Sequence, residues 1–270
     1  MTKYDLNIYY NSVFKTIPVE QYLKLMLDGI PVDYSFIPSF RPDINLESKK
    51  KPIILTGCSF TYGYGLSDDE TFSYKLGKMT GRPIYNRAGN GWGLSHFLFL
   101  TEFNYFYQKH EQPEYLFYIF IDNHLNRINK FKVEPLYSEF QPRYKLKNSK
   151  LSLLKPTILD RFVLLQNYQY NLGESDPSIL YFYFKTANEN IKKYWGNTKL
   201  VILKYPTDDD YNTFTDECWS NLQKEGIIVL DLDIISGVDL RCDKYKVDGY
   251  HPSAEAWDKI LPNLIKKLKL

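Results

Sequence analysis

One run of apolar residues restricts the fold more than any other feature of the chain. Residues 115–121 read Tyr-Leu-Phe-Tyr-Ile-Phe-Ile, without a charged residue at any position. A strand of this kind is covered on both faces, which is typical of the centre of a parallel sheet packed between helices. The sequence therefore predicts an α/β protein rather than a sheet with one face in water.

The remainder of the chain alternates between strand and helix patterns. Short apolar runs predict four further strands, at residues 52–56, 83–85, 199–203 and 227–230. Helical patterns fall between and after these strands. One follows the acidic residues 68–70 and ends near residue 79, and the others lie at 94–108, 178–195, 215–224 and 253–268. Such alternation predicts a three-layer α/β/α sandwich with a central parallel sheet and right-handed crossovers.

The chain of 270 residues is long enough for one large domain. We expect residues 1–50 to form an N-terminal extension, with a helix near 22–27 followed by a proline-rich wrapping segment, and residues 51–270 to form the domain. Periodicity is poor from about 131 to 176, where three prolines interrupt it. This stretch is predicted to be an irregular, lid-like insertion with a helix near 158–166.

Charge and composition exclude several classes of partner. Lys and Arg number 34 against 32 acidic residues, so the net charge of +2 gives no electrostatic reason to expect nucleic acid or an anionic membrane as partner. The three cysteines are widely spaced and unpaired in pattern, which indicates reduced thiols. No secretory signal or span of ~20 apolar residues is visible, so we expect a cytoplasmic protein without a membrane span. The pattern does not indicate an oligomeric state.

Polar residues that follow predicted strands are candidates for a site, because parallel sheets present their sites at the carboxyl ends of strands. Three such segments follow predicted strands, at 57–61, 86–93 and 122–124. A fourth polar segment, at 248–252, lies just before the last helix. Asp248 and His251 are three residues apart, so the carboxylate can hold one imidazole nitrogen while the other takes a proton from a hydroxyl. Ser59 is the candidate nucleophile for this pair.

Acyl transfer also needs hydrogen-bond donors aimed at the oxyanion, and the backbone amides of Ser59 and Gly91 and the side chain of Asn123 are candidates. Each residue has a plainer explanation when taken alone. Ser59 is then a cap, Asp248 caps the turn against which His251 packs, and Gly91 and Asn123 are turn residues. The combination favours a catalytic site.

These segments together resemble the SGNH hydrolases, also called GDSL esterases and lipases, whose four signature segments carry Ser, Gly, Asn and His in that order. The likeness spans residues 53–257. It implies a catalytic triad of Ser59, Asp248 and His251, and an oxyanion hole formed by Ser59, Gly91 and Asn123. It also implies a serine esterase for a small-molecule or carbohydrate ester, with an O-acetyl or other short acyl group. An O-acyltransferase with the same triad and a catalytically silent binding protein remain alternatives.

Three positions depart from the family pattern. Cys58 and Phe60 flank the nucleophile where the family usually has Asp and Leu, and Ile121 replaces the usual Gly of the Asn segment. None of the three changes removes a reacting group. Cys58 is an alternative nucleophile, but neighbouring residues at a strand end point in opposite directions, so one of Cys58 and Ser59 should face the core.

The remaining polar side chains receive separate interpretations. His124 and Arg127, just past the asparagine, are candidates for lining the acyl or alcohol pocket; the alternative is that they pair with nearby carboxylates. His96 and His110 are interpreted as residues of a surface helix.

Cofactor and metal sites are not indicated. The glycines at 89, 91 and 93 match neither G-x-G-x-x-G nor a Walker A motif. Asp122, His124, Asp248 and His251 carry metal-ligating groups, but HxH, HExxH and Cys/His spacings are missing. We therefore expect a site without metal or cofactor.

Overall fold

The structure is a computed structural model and describes residues 41–102, 110–129, 144–153, 178–208 and 216–270. Most of the predicted N-terminal extension, including its helix, lies outside the described residues. So do residues 130–143 and 154–177, which hold most of the predicted insertion and its helix.

Seven strands lie in the described part of the chain: β1 (Ile53–Gly57), β2 (Ile84–Asn86), β3 (Tyr115–Phe120), β4 (Tyr144–Lys147), β5 (Lys150–Leu153), β6 (Lys199–Lys204) and β7 (Ile228–Asp231). Five of them form one parallel sheet in the order β2-β1-β3-β6-β7. The apolar run at 115–121 supplies the central strand, and every residue of β3 is buried. The predicted central parallel sheet is confirmed.

Eight α-helices are described: α1 (Ser59–Tyr62), α2 (Phe72–Thr80), α3 (Leu94–Glu102), α4 (Asn123–Asn129), α5 (Ser178–Tyr194), α6 (Asp216–Lys224), α7 (Leu232–Ser236) and α8 (Ala254–Leu268). Asn123, which the pattern also allowed as a simple turn residue, begins α4.

Two cores form on opposite faces of the sheet because side chains of a strand alternate between its faces. Leu116, Tyr118 and Phe120 of β3 belong to the first core, with apolar residues of α3, α4, α5 and α6. Tyr115, Phe117 and Ile119 belong to the second core, with residues of α1, α2, α7 and α8. This division confirms the three-layer α/β/α arrangement.

A hairpin inside the predicted insertion corrects the expectation of irregular structure there. β4 and β5 pair antiparallel, with Tyr144 opposite Leu153. Asn148 and Ser149 connect them with positive φ angles of 49° and 60°, the backbone of a tight hairpin turn. Tyr144 and Leu151 are buried in the first core, so packing against the helical layer supplements the weak local pattern.

None of the helices in the described ranges combines the length and apolar character needed to cross a bilayer.

Candidate active site

The turn after β1 positions the candidate nucleophile. Gly57 has a φ of 142°, and a Cβ atom at this position would lie 2.3 Å from Thr61 Oγ1 and 3.1 Å from the Ile119 carbonyl oxygen. Only glycine fits this backbone without displacing its neighbours. The chain then turns directly into α1, of which Ser59 is the first residue.

Cys58 and Ser59 face different surroundings. Cys58 is fully buried in the second core, next to residues such as Phe60. Ser59 Oγ lies within hydrogen-bonding distance of His251. As expected, one of the two neighbours faces the core, and that residue is Cys58. Its thiol is therefore not directed at His251.

A continuous chain of hydrogen bonds joins the three candidate catalytic residues. Ser59 Oγ lies 2.9 Å from His251 Nε2. His251 Nδ1 lies 2.7 Å from Asp248 Oδ2. The nucleophile segment and the Asp-x-x-His segment, far apart in the sequence, therefore meet in the order that base-assisted nucleophilic attack requires.

The loop carrying Asp248 is held by its own backbone. Asp248 Oδ1 accepts hydrogen bonds from the amides of Tyr250 at 3.1 Å and His251 at 2.8 Å. Gly249 takes the left-handed conformation, with φ of 81°. The Val247 amide donates to the His251 carbonyl at 2.8 Å, which closes the loop. The imidazole is thus oriented before any ligand binds.

The pKa of Asp248 is lowered by these contacts. Burial alone would raise it, but the hydrogen bonds from the His251 amide, the His251 imidazole and the Tyr250 amide outweigh burial. The carboxylate is therefore ionised at neutral pH and favours the imidazole tautomer that carries its proton on Nδ1. That tautomer leaves Nε2 free to accept the proton of Ser59.

Aromatic rings surround His251 on several sides. The ring centroids of Phe60, Tyr64 and Tyr250 lie 5.2, 4.8 and 5.3 Å from that of His251. Phe60, a departure from the family pattern, thus forms part of the wall behind the histidine. Tyr64 was not predicted from the sequence as a site residue. Its position shortly after the nucleophile segment was the one feature that could have indicated it.

The two other candidate oxyanion donors emerge beside the nucleophile turn. The Gly89 amide donates to the Gly57 carbonyl at 3.2 Å, which fixes the loop after β2 against the end of β1. Gly91 in this loop has a φ of 75°. Asn123 follows β3, in which Ile119 pairs with Gly57. The Asn123 side chain makes no hydrogen bond within the described part of the chain, so its amide is available to a ligand.

The loop at 91–93 is fixed from the helical layer below it. Arg127 Nη1 donates to the Trp92 carbonyl. The Gly93 amide donates to His96 Nδ1 at 3.3 Å, and the His96 ring stacks on Trp92 at 5.3 Å. These contacts act on Trp92 and Gly93, the two residues that follow Gly91.

His96 and His110 differ from the predicted residues of a surface helix. Burial, and secondarily the charge of Arg127, lowers the pKa of His96 to about 3, so the ring is neutral and accepts from the loop. His110 lies beyond the described end of α3, accepts from Arg87 Nε at 3.0 Å and stacks on Tyr85. Both rings pack against aromatic neighbours, which the helical pattern did not indicate.

His124 lies in the first core and is fully buried. Its Nδ1 is 2.9 Å from the Tyr118 hydroxyl, and its ring packs against Tyr118 and Phe120. His124 is the second residue of α4 and faces the sheet. This placement gives no support to the expectation that His124 lines a substrate pocket. Arg127, one helical turn after Asn123, is half-buried.

Two anchors of the nucleophile turn were missed by sequence reasoning. Arg41 donates to the carbonyls of Tyr62, Gly63 and Leu66 at 3.0, 2.6 and 2.8 Å. Asn86, fully buried at the end of β2, donates to the Thr61 carbonyl at 2.9 Å. Both bind backbone carbonyls, and because every residue has one, a sequence pattern does not indicate such contacts.

Within the described ranges, no three or more His, Cys, Asp and Glu side chains are grouped so that they could hold a metal ion.

Comparison with solved structures identifies the fold. No family model matches the sequence, and no curated protein matches it. Among solved structures, a protein from Desulfitobacterium hafniense assigned to the G-D-S-L lipolytic family is similar, with a TM-score of 0.52, 13% identity, and 80% of this chain and 99% of that chain covered. A carbohydrate esterase, described as having divergent catalytic and non-catalytic binding functions at its active site, has a TM-score of 0.50 and 14% identity over 83% of this chain and 70% of that chain. The chain therefore has the fold of the SGNH hydrolases.

Proposed function

We propose that the protein is a serine esterase that transfers an acyl group from an ester first to Ser59 and then to water. The observation that carries this proposal is the hydrogen-bonded series Ser59 Oγ, His251 and Asp248, with distances of 2.9 and 2.7 Å. Its order and spacing match the roles of nucleophile, general base and orienting carboxylate.

In the first step, Ser59 Oγ attacks the ester carbonyl carbon while His251 Nε2 takes the hydroxyl proton. Asp248 stabilises the imidazolium that forms. The bond from the carbonyl carbon to the alcohol oxygen then breaks, and His251 donates its proton to the leaving alcohol. An ester between the acyl group and Ser59 results.

Negative charge on the carbonyl oxygen is stabilised by three donors. The Ser59 amide lies in the first turn of α1, where backbone amides have no partner within the helix. The Gly91 amide comes from the loop after β2 and the Asn123 side chain from the first residue of α4. The lack of a described partner for Asn123 supports this role.

In the second step, His251 removes a proton from water while the water oxygen attacks the carbonyl carbon of the acylated Ser59. The bond from that carbon to Ser59 Oγ then breaks, His251 returns the proton to Oγ, and the acid is released. If another alcohol replaces the water, the same residues perform O-acyl transfer, which is the alternative enzyme function. A silent binding protein is the remaining alternative. The intact hydrogen-bonded triad argues against it, because each reacting group is present and oriented.

The alcohol part of the substrate is proposed to be a carbohydrate or similar small molecule. Tyr64 presents 48% of its surface to solvent beside His251, where the leaving alcohol must lie to receive its proton. An exposed aromatic face suits the C–H face of a sugar. The carbohydrate esterase among the similar structures is consistent with this class.

A fluorophosphonate probe tests the proposed nucleophile, since it reacts with an activated serine. The wild type should be labelled and Ser59→Ala should not. Ser236→Ala is a matched control, because Ser236 has the same 8% exposure but lies in α7 and bonds only to nearby backbone atoms. Failure to label the wild type, or equal labelling of Ser59→Ala, contradicts the proposal.

Acetate release from acetylated sugars then separates the two enzyme functions. Release into water at a rate independent of an added sugar acceptor supports the esterase. Release that requires the acceptor, with formation of the acetylated acceptor, supports the acyltransferase.

A further inference from the structure

Arg127 differs from every other arginine in the described part of the chain. Each of the others lies within 3.1 Å of a carboxylate oxygen, in the pairs Arg41–Asp68, Arg82–Glu114, Arg87–Asp43, Arg241–Asp233 and Arg241–Asp239. Arg127 has no carboxylate partner within the described residues, and its one hydrogen bond is to the Trp92 carbonyl. A half-buried guanidinium without a counter-ion is unfavourable, because burial removes part of its hydration.

The groups around Arg127 add donors but no negative charge. Burial, and secondarily Arg127 itself, lowers the pKa of both His96 and His124, so both rings are neutral. Within the described residues, Arg127 Nε is a buried donor without a hydrogen-bond partner, and His124 Nε2 is a second one when His124 Nδ1 accepts from the Tyr118 hydroxyl. Buried donors are normally satisfied, so this cluster has an excess of donors that an acceptor with negative charge would complement.

The position of Arg127 relates this cluster to the proposed catalytic site. Arg127 lies four residues after Asn123 in α4, so both side chains lie on the same side of the helix. It also bonds to the carbonyl next to Gly91. An anion bound by Arg127 would therefore lie close to the proposed oxyanion donors.

Arg127 and His251 lie toward opposite faces of the sheet. Trp92, to whose carbonyl Arg127 donates, belongs to the first core, as does Leu125 of the same helix. Phe60 and Tyr250, which pack on His251, belong to the second core or against it. The leaving alcohol must lie beside His251 to receive its proton. A group that reaches Arg127 therefore belongs to the acyl part of the ester.

We propose that Arg127 binds a negatively charged group at the far end of the acyl chain, so that the preferred substrate is a half ester of a dicarboxylic acid. The free carboxylate accepts hydrogen bonds from the guanidinium, while the ester carbonyl lies at Ser59. This inference rests on the proposed esterase function and specifies its acyl group.

The test compares two esters that differ in one charge: monomethyl glutarate and its neutral amide, methyl glutaramate. Methanol release gives kcat/KM for each. The wild type should prefer the anionic ester by at least about ten-fold, the effect of a hydrogen bond to a charged group. The preference should fall as salt is added, because screening weakens a partly exposed ion pair.

Variants at Arg127 assign the preference to this side chain. Arg127→Gln should bring the ratio of the two kcat/KM values close to one, and Arg127→Lys should retain part of it. The ratio is the useful quantity, because loss of the hydrogen bond to Trp92 would slow both esters alike. Arg82→Gln is the matched control: Arg82 is also half-buried but pairs with Glu114, which precedes β3 at the opposite end of the sheet.

The outcomes separate the two proposals. Equal cleavage of the two esters, cleavage of neither by an enzyme whose Ser59 is labelled by fluorophosphonate, or a preference that Arg127→Gln leaves unchanged overturns the role of Arg127 alone. A wild type that fluorophosphonate does not label overturns the esterase function, and the inference with it.

Discussion

The ring of Tyr64 lies 4.8 Å from the ring of His251, tilted by 39°, while almost half of the tyrosine remains exposed. One side of the tyrosine thus supports the proposed general base, and the other is available to a ligand. Gly63, with a φ of 82°, ends α1 and turns the chain so that Tyr64 reaches this position.

The first prediction follows from this double contact. Tyr64→Phe keeps the ring and should change kcat/KM for an acetylated sugar by less than about two-fold. Tyr64→Ala should raise KM for the sugar ester by about two- to ten-fold, the range of one aromatic contact, with a smaller effect on methyl acetate. Steady-state kinetics on both esters measure the difference. An equal loss on both would assign Tyr64 to support of His251 only.

The second prediction concerns Asn123. Removal of one oxyanion donor typically lowers kcat by about 10²–10³-fold, so Asn123→Ala should reduce kcat by this order with little change in KM. The side chain has no described hydrogen bond to lose, so the melting temperature should stay within a few degrees of the wild type. A variant with wild-type kcat would remove Asn123 from the proposed oxyanion hole.

Much of this arrangement was predictable because it depends on local patterns. The continuous apolar run at 115–121 predicted β3, and the polar residues at strand ends predicted Ser59 and Asn123 as site residues. Asp248 and His251 were recognisable because both lie in one short loop. These features need only the nearest residues and the general rule that sites lie at the carboxyl ends of parallel strands.

The features that escaped prediction depend on contacts between distant segments. Arg41 binds carbonyls more than twenty residues away, and carbonyls are common to all residues. His96 was interpreted as a residue of a surface helix, but its ring stacks on Trp92. The β4–β5 hairpin is stabilised by packing on the helical layer as well as by its turn.

The third prediction is that His96 makes stability depend on pH. Its pKa in the folded protein is about 3, well below its usual 6.5, because of burial first and of Arg127 second. Between about pH 3 and pH 6.5, the unfolded chain therefore binds a proton at His96 that the folded chain does not bind. Stability from the neutral ring is present above pH 6.5 and is lost as pH falls toward 3.

His96→Gln should weaken this dependence, since glutamine does not titrate. Urea unfolding at pH 7 and pH 4.5 measures it: the wild type should lose about 2–3 kcal/mol more free energy of unfolding than the variant over this interval. Parallel pH profiles would mean that the unfolded-state proton is bound elsewhere. His124, whose pKa is also lowered, should leave part of the dependence in the variant.

The fourth prediction compares two glycines with positive φ angles. At Gly57, a Cβ would meet Thr61 Oγ1 at 2.3 Å and the backbone oxygen of Ile119 at 3.1 Å; at Gly237, with φ of 70°, nothing lies within 4 Å. Gly237→Ala should therefore cost only the backbone strain, about 1 kcal/mol. Gly57→Ala adds a clash and should cost about 3 kcal/mol or more.

The same clash has a consequence for the proposed chemistry. Relief of the Gly57→Ala contact must move either β3 or α1, and α1 begins at Ser59. Labelling by fluorophosphonate should therefore fall well below the wild-type rate even under conditions where circular dichroism shows the variant folded, whereas Gly237→Ala should be labelled normally. Normal labelling of a folded Gly57→Ala protein would show that the nucleophile turn tolerates displacement and that its strained glycine is not required to position Ser59.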